Sequence, residues 1–559
     1  MSEEALRKFM DGRLTGLRLD RYSWWVHWRE LADNYLPRRY QWLVAPNKAN
    51  RGSPINGQII DSTGVVAART CASGMMSGIT SPTRPWFKLK LDGVDSVDSS
   101  NPISLWLAEC ERRMMRVFAE SNFYNAIAVV YHDLVVFGSA CMLVYEDFDD
   151  VIRCHNPCLG EFFFANSDRM TVNAVFREFV LTAAQMVEKF GLENCSDEVK
   201  ILYQDPTGTG RSREVLVRHG IAPNTDASRS GISKRFPFFE CYWEASTNAI
   251  DKVLDKRGFH EFPALCPRWD LVSNDAYGRS PAMDALGDVK QLQQEQKRKA
   301  QALDKLVNPP LLADVQLKNQ PASLLPGAIT YVSGTSQIGM KPVFTVNPPV
   351  QEIMLDIEKV QERIKTIFFN DLFMMISQLQ TVRTATEIDA RREEKLVMLG
   401  PVLERFQNEA LDPAVDRTFN IMRRAGLLPP APQEIQGQHV DIEYVSMLAE
   451  AQRAVGTSSL ERLAAQAGNL AAVDPTVLDK IDFDQFISVY GNLLSIDPRV
   501  IRDDEAVAQL RQARQQAQDQ QNMLAMTDPA VKGAQVLSKT DVGGGQNALQ
   551  AMLGGGTLQ

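Results

Sequence analysis

The strongest constraint in this sequence is a helix without an apolar face. Pro281 to Leu306 has helical composition, yet the stretch from Gln293 to Gln301 is polar nearly all round. Such a helix gains little by packing on its own chain, so it is solvent-bridging, pair-stabilised, or held between subunits of an assembly. After Val307, the run Asn308, Pro309 and Pro310 ends it. Residues 309 to 349 hold seven prolines and two β-like runs, Ala328 to Val332 and Val343 to Val346, which describe a small separate β module. A second helix then starts near Gln351, with Ile353, Ile357, Val360, Ile364 and Ile367 spaced alternately four and three apart. The two helices therefore flank a β excursion.

At 559 residues the chain exceeds what one hydrophobic core sustains, so several packed sections are expected. Apolar residues at 44% and charged residues at 23% are ordinary for a globular protein. The net charge of -9 argues against tight coating of nucleic acid, which needs a surplus of Lys and Arg on one surface. Transient, sliding contact remains open. No apolar run reaches a membrane span, since Ala126 to Phe137 is interrupted by His132 and Asp133, and residues 1 to 20 carry no signal-peptide core. Eight scattered cysteines without export features fit reduced thiols in a cytoplasm.

Along the chain, Leu17, Trp24, Trp25, Trp28, Leu31 and Tyr35 form the apolar side of an amphipathic helix stopped by Pro37, and Gln58 to Gly78 reads as a helix of small residues. From Gly138 to about Asp270 short β-type runs follow one another: Cys141 to Tyr145, Val151 to His155, Glu161 to Phe164, Val215 to His219 and Phe238 to Trp243. One helix, Thr182 to Phe190, interrupts them, so the class is α+β, mainly helical, without βαβ repeats. Beyond Ser377, Gln378 to Arg383 forms a short loop, and Thr384 with Glu387 makes a capping box that starts a third helix. That helix should kink or restart at Gly400 and Pro401 and end near Gly426. Asp412, Asp474, Asp497 and Asp528 each precede a proline, which suits an acidic N-cap and a series of short helices. The Gly-rich stretch from Asp541 is too poor in large apolar residues to order itself.

The chemistry-bearing residues form no catalytic constellation. Gly208-Thr209-Gly210 lacks the lysine of a phosphate-binding loop. Cys154, His155 and Cys158 supply an incomplete zinc set with no second ligand pair. Glu146, Asp147, Asp149 and Asp150 could hold a divalent cation, but between two strands they read better as a solvated turn. Ser139 lacks a nucleophile elbow and reads as a tight strand start, and no histidine pair has helical metal-site spacing. No catalytic residue, metal or cofactor is therefore expected. Lys297, Arg298 and Lys299 are the densest basic cluster and could meet phosphates or a neighbour's carboxylates.

From Trp24 to about Gln521 the sequence resembles the head-to-tail connector, or portal, family of short-tailed bacteriophages. The likeness is carried by the aromatic N-terminal helix, Asp61-Ser62-Thr63, the run Ser81-Pro82-Thr83-Arg84-Pro85-Trp86-Phe87, Tyr277-Gly278-Arg279-Ser280-Pro281, Asn308-Pro309-Pro310 and Thr384 to Glu387. The resemblance implies a wing over 1–280, stem helices over 281–306 and 351–377, and a β clip over 307–350. It further implies a channel loop over 378–384, a long bent wing helix over 385–430, a helical crown over 431–527 and a flexible tail over 528–559. It implies a ring, a dodecamer in this family, at one capsid vertex of the virion, assembled in the host bacterial cytoplasm. The partners would be further copies of the chain, the terminase large subunit, tail adaptor or tail tube proteins, and major capsid and scaffolding proteins. Double-stranded DNA would be touched weakly and without sequence preference, and no membrane is involved. Gln378, Gln380 and Arg383, with Lys297, Arg298 and Lys299, become candidates to face DNA. Lys318, Asn319, Gln320 and Tyr331 become candidates for partner binding on the clip. Two rival readings are a metal-dependent nucleic-acid enzyme acting through the acidic turn, and an internal scaffold or adaptor without a DNA channel.

Overall fold

The computed structural model describes residues 3–39, 57, 59–91, 102–224, 236–246, 253–307, 311–312, 341–342, 349–377, 398–432, 440–444, 463–470, 480–483, 485–487, 490 and 504–541. The expected clip runs 328–332 and 343–346, the capping box at Thr384 and the channel loop at 378–383 lie outside them. The architecture is mainly helical with antiparallel sheets. Chain contacts separate a first unit, Met1–Leu89, Cys110–Pro430 and Ile442–Val455, from a second, Lys90–Glu109, Ala431–Asp441 and Gly456–Gln559.

The first unit begins with α1, Glu3–Tyr35, whose N-terminal half precedes the aromatic segment that the sequence marks as helical. The reason lies in its face: Leu6, Met10 and Leu14 continue the same stripe and pack on Phe163, Ala174, Phe176, Cys241 and Trp243. They cover one side of a five-stranded sheet of β4 (Phe162–Asn166), β5 (Val172–Thr182), β6 (Glu214–Pro223), β7 (Phe238–Glu244) and β8 (Asp255–Phe259), ordered β4-β5-β6-β7-β8. Every neighbouring pair is antiparallel. The other side is covered by α5 (Ala183–Phe190) and α6 (Asp197–Gln204) through Ala183, Met186, Phe190, Val199, Val217 and Tyr242. Thr182 caps α5 with a full capping box to Gln185.

β5, the longest strand, carries no β signal in the sequence because Arg177 and Glu178 sit at its centre and its apolar residues do not alternate. A smaller sheet, β3-β2-β9, joins β2 (Met142–Asp147), β3 (Val151–His155) and β9 (Ala264–Leu265). The acidic group forms the β2–β3 turn, where Asp147 Oδ1 accepts from the amides of Asp149 and Asp150. Glu146 meets Arg424 instead.

Ahead of these strands in the chain come α2 (Thr63–Ile79), β1 (Phe87–Leu91), α3 (Pro102–Glu120) and α4 (Phe123–Phe137), of which α2 packs on α4. Helix α7, Pro281–Val307, is followed by the short antiparallel pair Leu311–Leu312 with Lys341–Pro342, and then by α8, Val350–Ile367. The second helix does not run unbroken to Ser377. Phe369 adopts φ 55°, and α9, Asn370–Ser377, restarts the chain in a new direction. This break places Phe373 against Gly74 of α2, where a Cβ would come within 2.3 Å of the ring.

Residues 398–406 are helical with Pro401 in the first described turn, and the residues before 398, on which a kink or restart at Gly400 and Pro401 turns, lie outside the described ones. An irregularity follows as a π turn at Gln407–Leu411, then α10, Asp412–Arg424. Pro413 cannot donate to the ring of hydrogen bonds, and the widened turn absorbs it just where Glu409 is drawn to Arg268. In the second unit α11 runs through Asp504–Lys539, so Asp528-Pro529 starts no helix, whereas Asp412-Pro413 lies in the first turn of α10, and Asp474 and Asp497 lie outside the described residues. A proline removes only one of the many i→i−4 bonds in a helix of 36 residues, and the turns on either side propagate through it.

One close backbone approach organises the first unit. Gly138 ends α4 at φ 74°, and a Cβ on Gly278 would lie 2.4 Å from the Gly138 carbonyl oxygen. Replacing Gly278 with alanine is therefore expected to cost about 2 kcal/mol or more, because backbone rather than a flexible side chain must move. Gly287, on the exposed side of α7 with nothing within 4 Å, should gain about 0.5–1 kcal/mol on the same change. The opposite shifts of the two urea-unfolding midpoints check this.

Candidate functional site

The start of α7 is built from the run Tyr277 to Pro281, and each residue has a mechanical task. The Tyr277 hydroxyl accepts from the Phe164 amide, while its ring stacks on Phe164 and meets Trp28 edge-on at 4.9 Å. Gly278 donates to Ser139 Oγ, which gives Ser139 a structural partner rather than a catalytic one. The Arg279 guanidinium lies 5.6 Å over the Trp24 ring. Ser280 Oγ donates to the Val136 carbonyl and accepts from the Met283 amide, so it caps α7 while tying it to α4, with Pro281 in the first turn.

Farther along α7 the polar residues have partners that the sequence did not disclose. Gln293 Oε1 accepts from the amides of Ile60 and Asp61, and its Nε2 donates to the Asp61 carbonyl. Asp61 Oδ1 accepts from the Thr63 amide, which starts α2. Its Oδ2 accepts from Gln296 of α7 and from Gln361 of α8, each at 2.8 Å. One carboxylate thus joins three helices. Burial acts to raise the Asp61 carboxyl, but the hydrogen bonds from Thr63, Gln361 and Gln296 overcome it and hold the group below its ordinary value. Arg363 and Asp288 add an ion pair at 3.1 Å between the two long helices, which run antiparallel.

Beyond Gln293 no residue of α7 is buried, so its last four turns have no core among the described residues. Leu303, Leu306 and Val307 are exposed there, Val307 to 75%, and Met354 and Leu355 are exposed on the adjoining first turns of α8. Four apolar side chains besides Val307 at one end of a helix pair form the kind of patch that marks association. Lys297 and Arg298 on the same stretch are exposed and Lys299 is half-buried, and none has a carboxylate partner among the described residues. Gln378, Gln380, Arg383, Lys318, Asn319, Gln320 and Tyr331 lie outside the described residues.

No group of three or more His, Cys, Asp or Glu among the described residues converges as a metal site, and no described helix is long and apolar enough to cross a membrane. All eight cysteines are free and buried, and burial raises the Cys154 thiol to about 12 and the Cys158 thiol to about 11.

The family model of the bacteriophage head to tail connecting protein matches residues 7–501. The chain is 42% identical over 552 residues to a protein of Bordetella phage BPP-1 described as a probable portal protein, covering 98% of each. It is likewise 42% identical over 532 residues to the portal protein of Salmonella phage epsilon15, covering 94% of each.

Asp61→Asn keeps an acceptor for Thr63 but sets an amide against two amide donors, and a loss of about 1–2 kcal/mol is expected at neutral pH. Because the folded carboxyl titrates below its ordinary value of 3.8, the stabilisation is complete above that value and fades as pH falls through the lower folded one. Urea midpoints of the two proteins should therefore differ near neutrality and converge only below about pH 4.

Proposed function

The chain belongs to the bacteriophage head to tail connecting proteins, and from that premise we propose the portal as the setting for its helices and polar node. It is a structural subunit and not an enzyme: a ring of identical copies at one capsid vertex, through which DNA enters and leaves. A closed ring needs a heterologous contact repeated around an axis. The observation that supports the assignment within this chain is the unburied last half of α7 with the apolar end of the helix pair, which has no core among the described residues and which a neighbouring copy would cover.

In this reading residues 281–306 and 351–377 are the stem, 307–350 the clip, 378–384 the channel loop, 385–430 the long wing helix, 431–527 the crown and 528–559 the tail. The ring is a dodecamer, the clip receives the terminase large subunit and later the tail adaptors, and the wing meets capsid and scaffolding proteins. Assembly takes place in the host cytoplasm. Lys318, Asn319, Gln320 and Tyr331 serve docking, and Gln378, Gln380 and Arg383 face DNA. A net charge of -9 supports weak phosphate contact, since strong contact would hold DNA rather than let it slide.

Electron microscopy of the purified protein tests the ring. Closed rings with a central hole are expected, and a population of monomers or open filaments alone would count against it. Reversing Lys297, Arg298 and Lys299 to glutamate should abolish or weaken ring closure if they contact a neighbour. If they face the channel, rings should persist while packaged DNA per particle falls, and unchanged rings with unchanged packaging would remove both roles.

A further inference from the structure

A cavity of about 1490 Å³ opens within the first unit between the β2–β3 hairpin and the sheet face that carries α5. Its wall includes Arg177 of β5, Lys189 of α5 and His155 of β3, three nitrogen-bearing side chains from three separate elements. Arg177 is only 4% exposed. Its Nε donates to His219 Nδ1 at 2.9 Å, its guanidinium lies 4.2 Å over the Phe179 ring, and its Nη1 is buried without an acceptor. A charged donor left unsatisfied in the interior is costly unless something else satisfies it.

Apart from Asp149, exposed at the tip of the β2–β3 turn, the carboxylates around this cavity are already committed. Glu240 accepts from His219 Nε2, Tyr145 and Tyr242. Asp255 holds Arg257, Glu146 holds Arg424, Asp147 caps its own turn, and Glu161 accepts from the Cys158 amide. Since Arg177 donates to Nδ1, His219 is the neutral tautomer with its proton on Nε2, and it neutralises nothing. Lys189 Nζ sits 4.2 Å over the Tyr242 ring with no ion pair among the described residues. The positive charge of Arg177 and Lys189 thus exceeds the single negative charge of Glu240.

The neighbouring groups respond to that excess. Burial, and then the charge of Arg177, lowers Lys189 to about 8. Burial, then Arg177 and Lys189, lowers His155 to about 3, so His155 is neutral and able to donate one hydrogen bond. Both side chains are nonetheless open to solvent, which places them on the wall of a concavity rather than in the core.

We propose that this cavity is a binding site for a phosphate-type oxyanion, held by Arg177, Lys189 and His155. Donors that converge from three elements suit a tetrahedral group better than the planar fork of a carboxylate. The site lies on two strands and on α5, which the stem and channel assignments do not use.

Isothermal titration of the full-length protein with inorganic phosphate, in chloride buffer near neutral pH, tests this. Saturable binding at one site per chain is expected. Lys189→Gln should weaken it about tenfold with its melting temperature kept, because it removes one of two cationic donors from the exposed end of a capped helix. Lys200→Gln, outside the cavity, should bind as the unaltered protein does. Absence of saturable heat, or equal binding by Lys189→Gln, overturns the proposal. A parallel titration with a nucleoside 5′-monophosphate identifies the source: tighter binding points to a phosphate ester, equal or weaker binding to the free ion.

Discussion

The first unit hangs on the place where two backbones cross at Gly138 and Gly278. No side chain separates them, so the end of α4, the first residues of β2 and the start of α7 share one fixed point. Ser139 and Ser280 satisfy the polar groups that such a close approach would otherwise strand in the interior. From there Tyr277 reaches the sheet and Arg279 reaches α1, so the direction of the long helix is set before its polar half begins. A helix with no core of its own can point reliably only if its base is rigid.

The polar half is then tied down by hydrogen bonds rather than by packing. Gln293, Gln296 and Gln361 converge on the loop at Asp61, which turns residues that look solvated into a joint between three helices. Farther out Leu303, Leu306 and Val307 are exposed among the described residues. The stretch thus passes from glutamines tied to Asp61 to apolar side chains open to solvent.

The two long helices were legible because each depends on local chemistry: Ser280-Pro281 starts α7, the prolines from 309 end it, and the isoleucine spacing gives α8. The turn at Glu146 to Asp150 and the strand Val151–His155 were legible for the same reason. Strand β5 was not, because Arg177 and Glu178 at its centre make sense only beside His219 and Arg218, some 40 residues later in sequence. The π turn was missed for a related reason. The irregularity at Gln407–Leu411 answers to Arg268, which is remote in sequence. The cationic cavity was invisible altogether, since its three donors come from three elements and none carries a motif.

The π turn has a bearing on how this helix tolerates change in length. A π turn is an α-helix holding one surplus residue and winding fewer degrees per residue, so losing a residue between Gln407 and Leu411 would restore regular winding and leave the phase of everything beyond nearly unchanged. Arg417 would still face the Val144 carbonyl, and Arg424 would still face Glu146 and Glu261. The wide turn thus acts as slack: it takes up a residue without turning α10 against the small sheet, and related chains with one residue fewer between Glu409 and Arg417 should keep those two arginines in place.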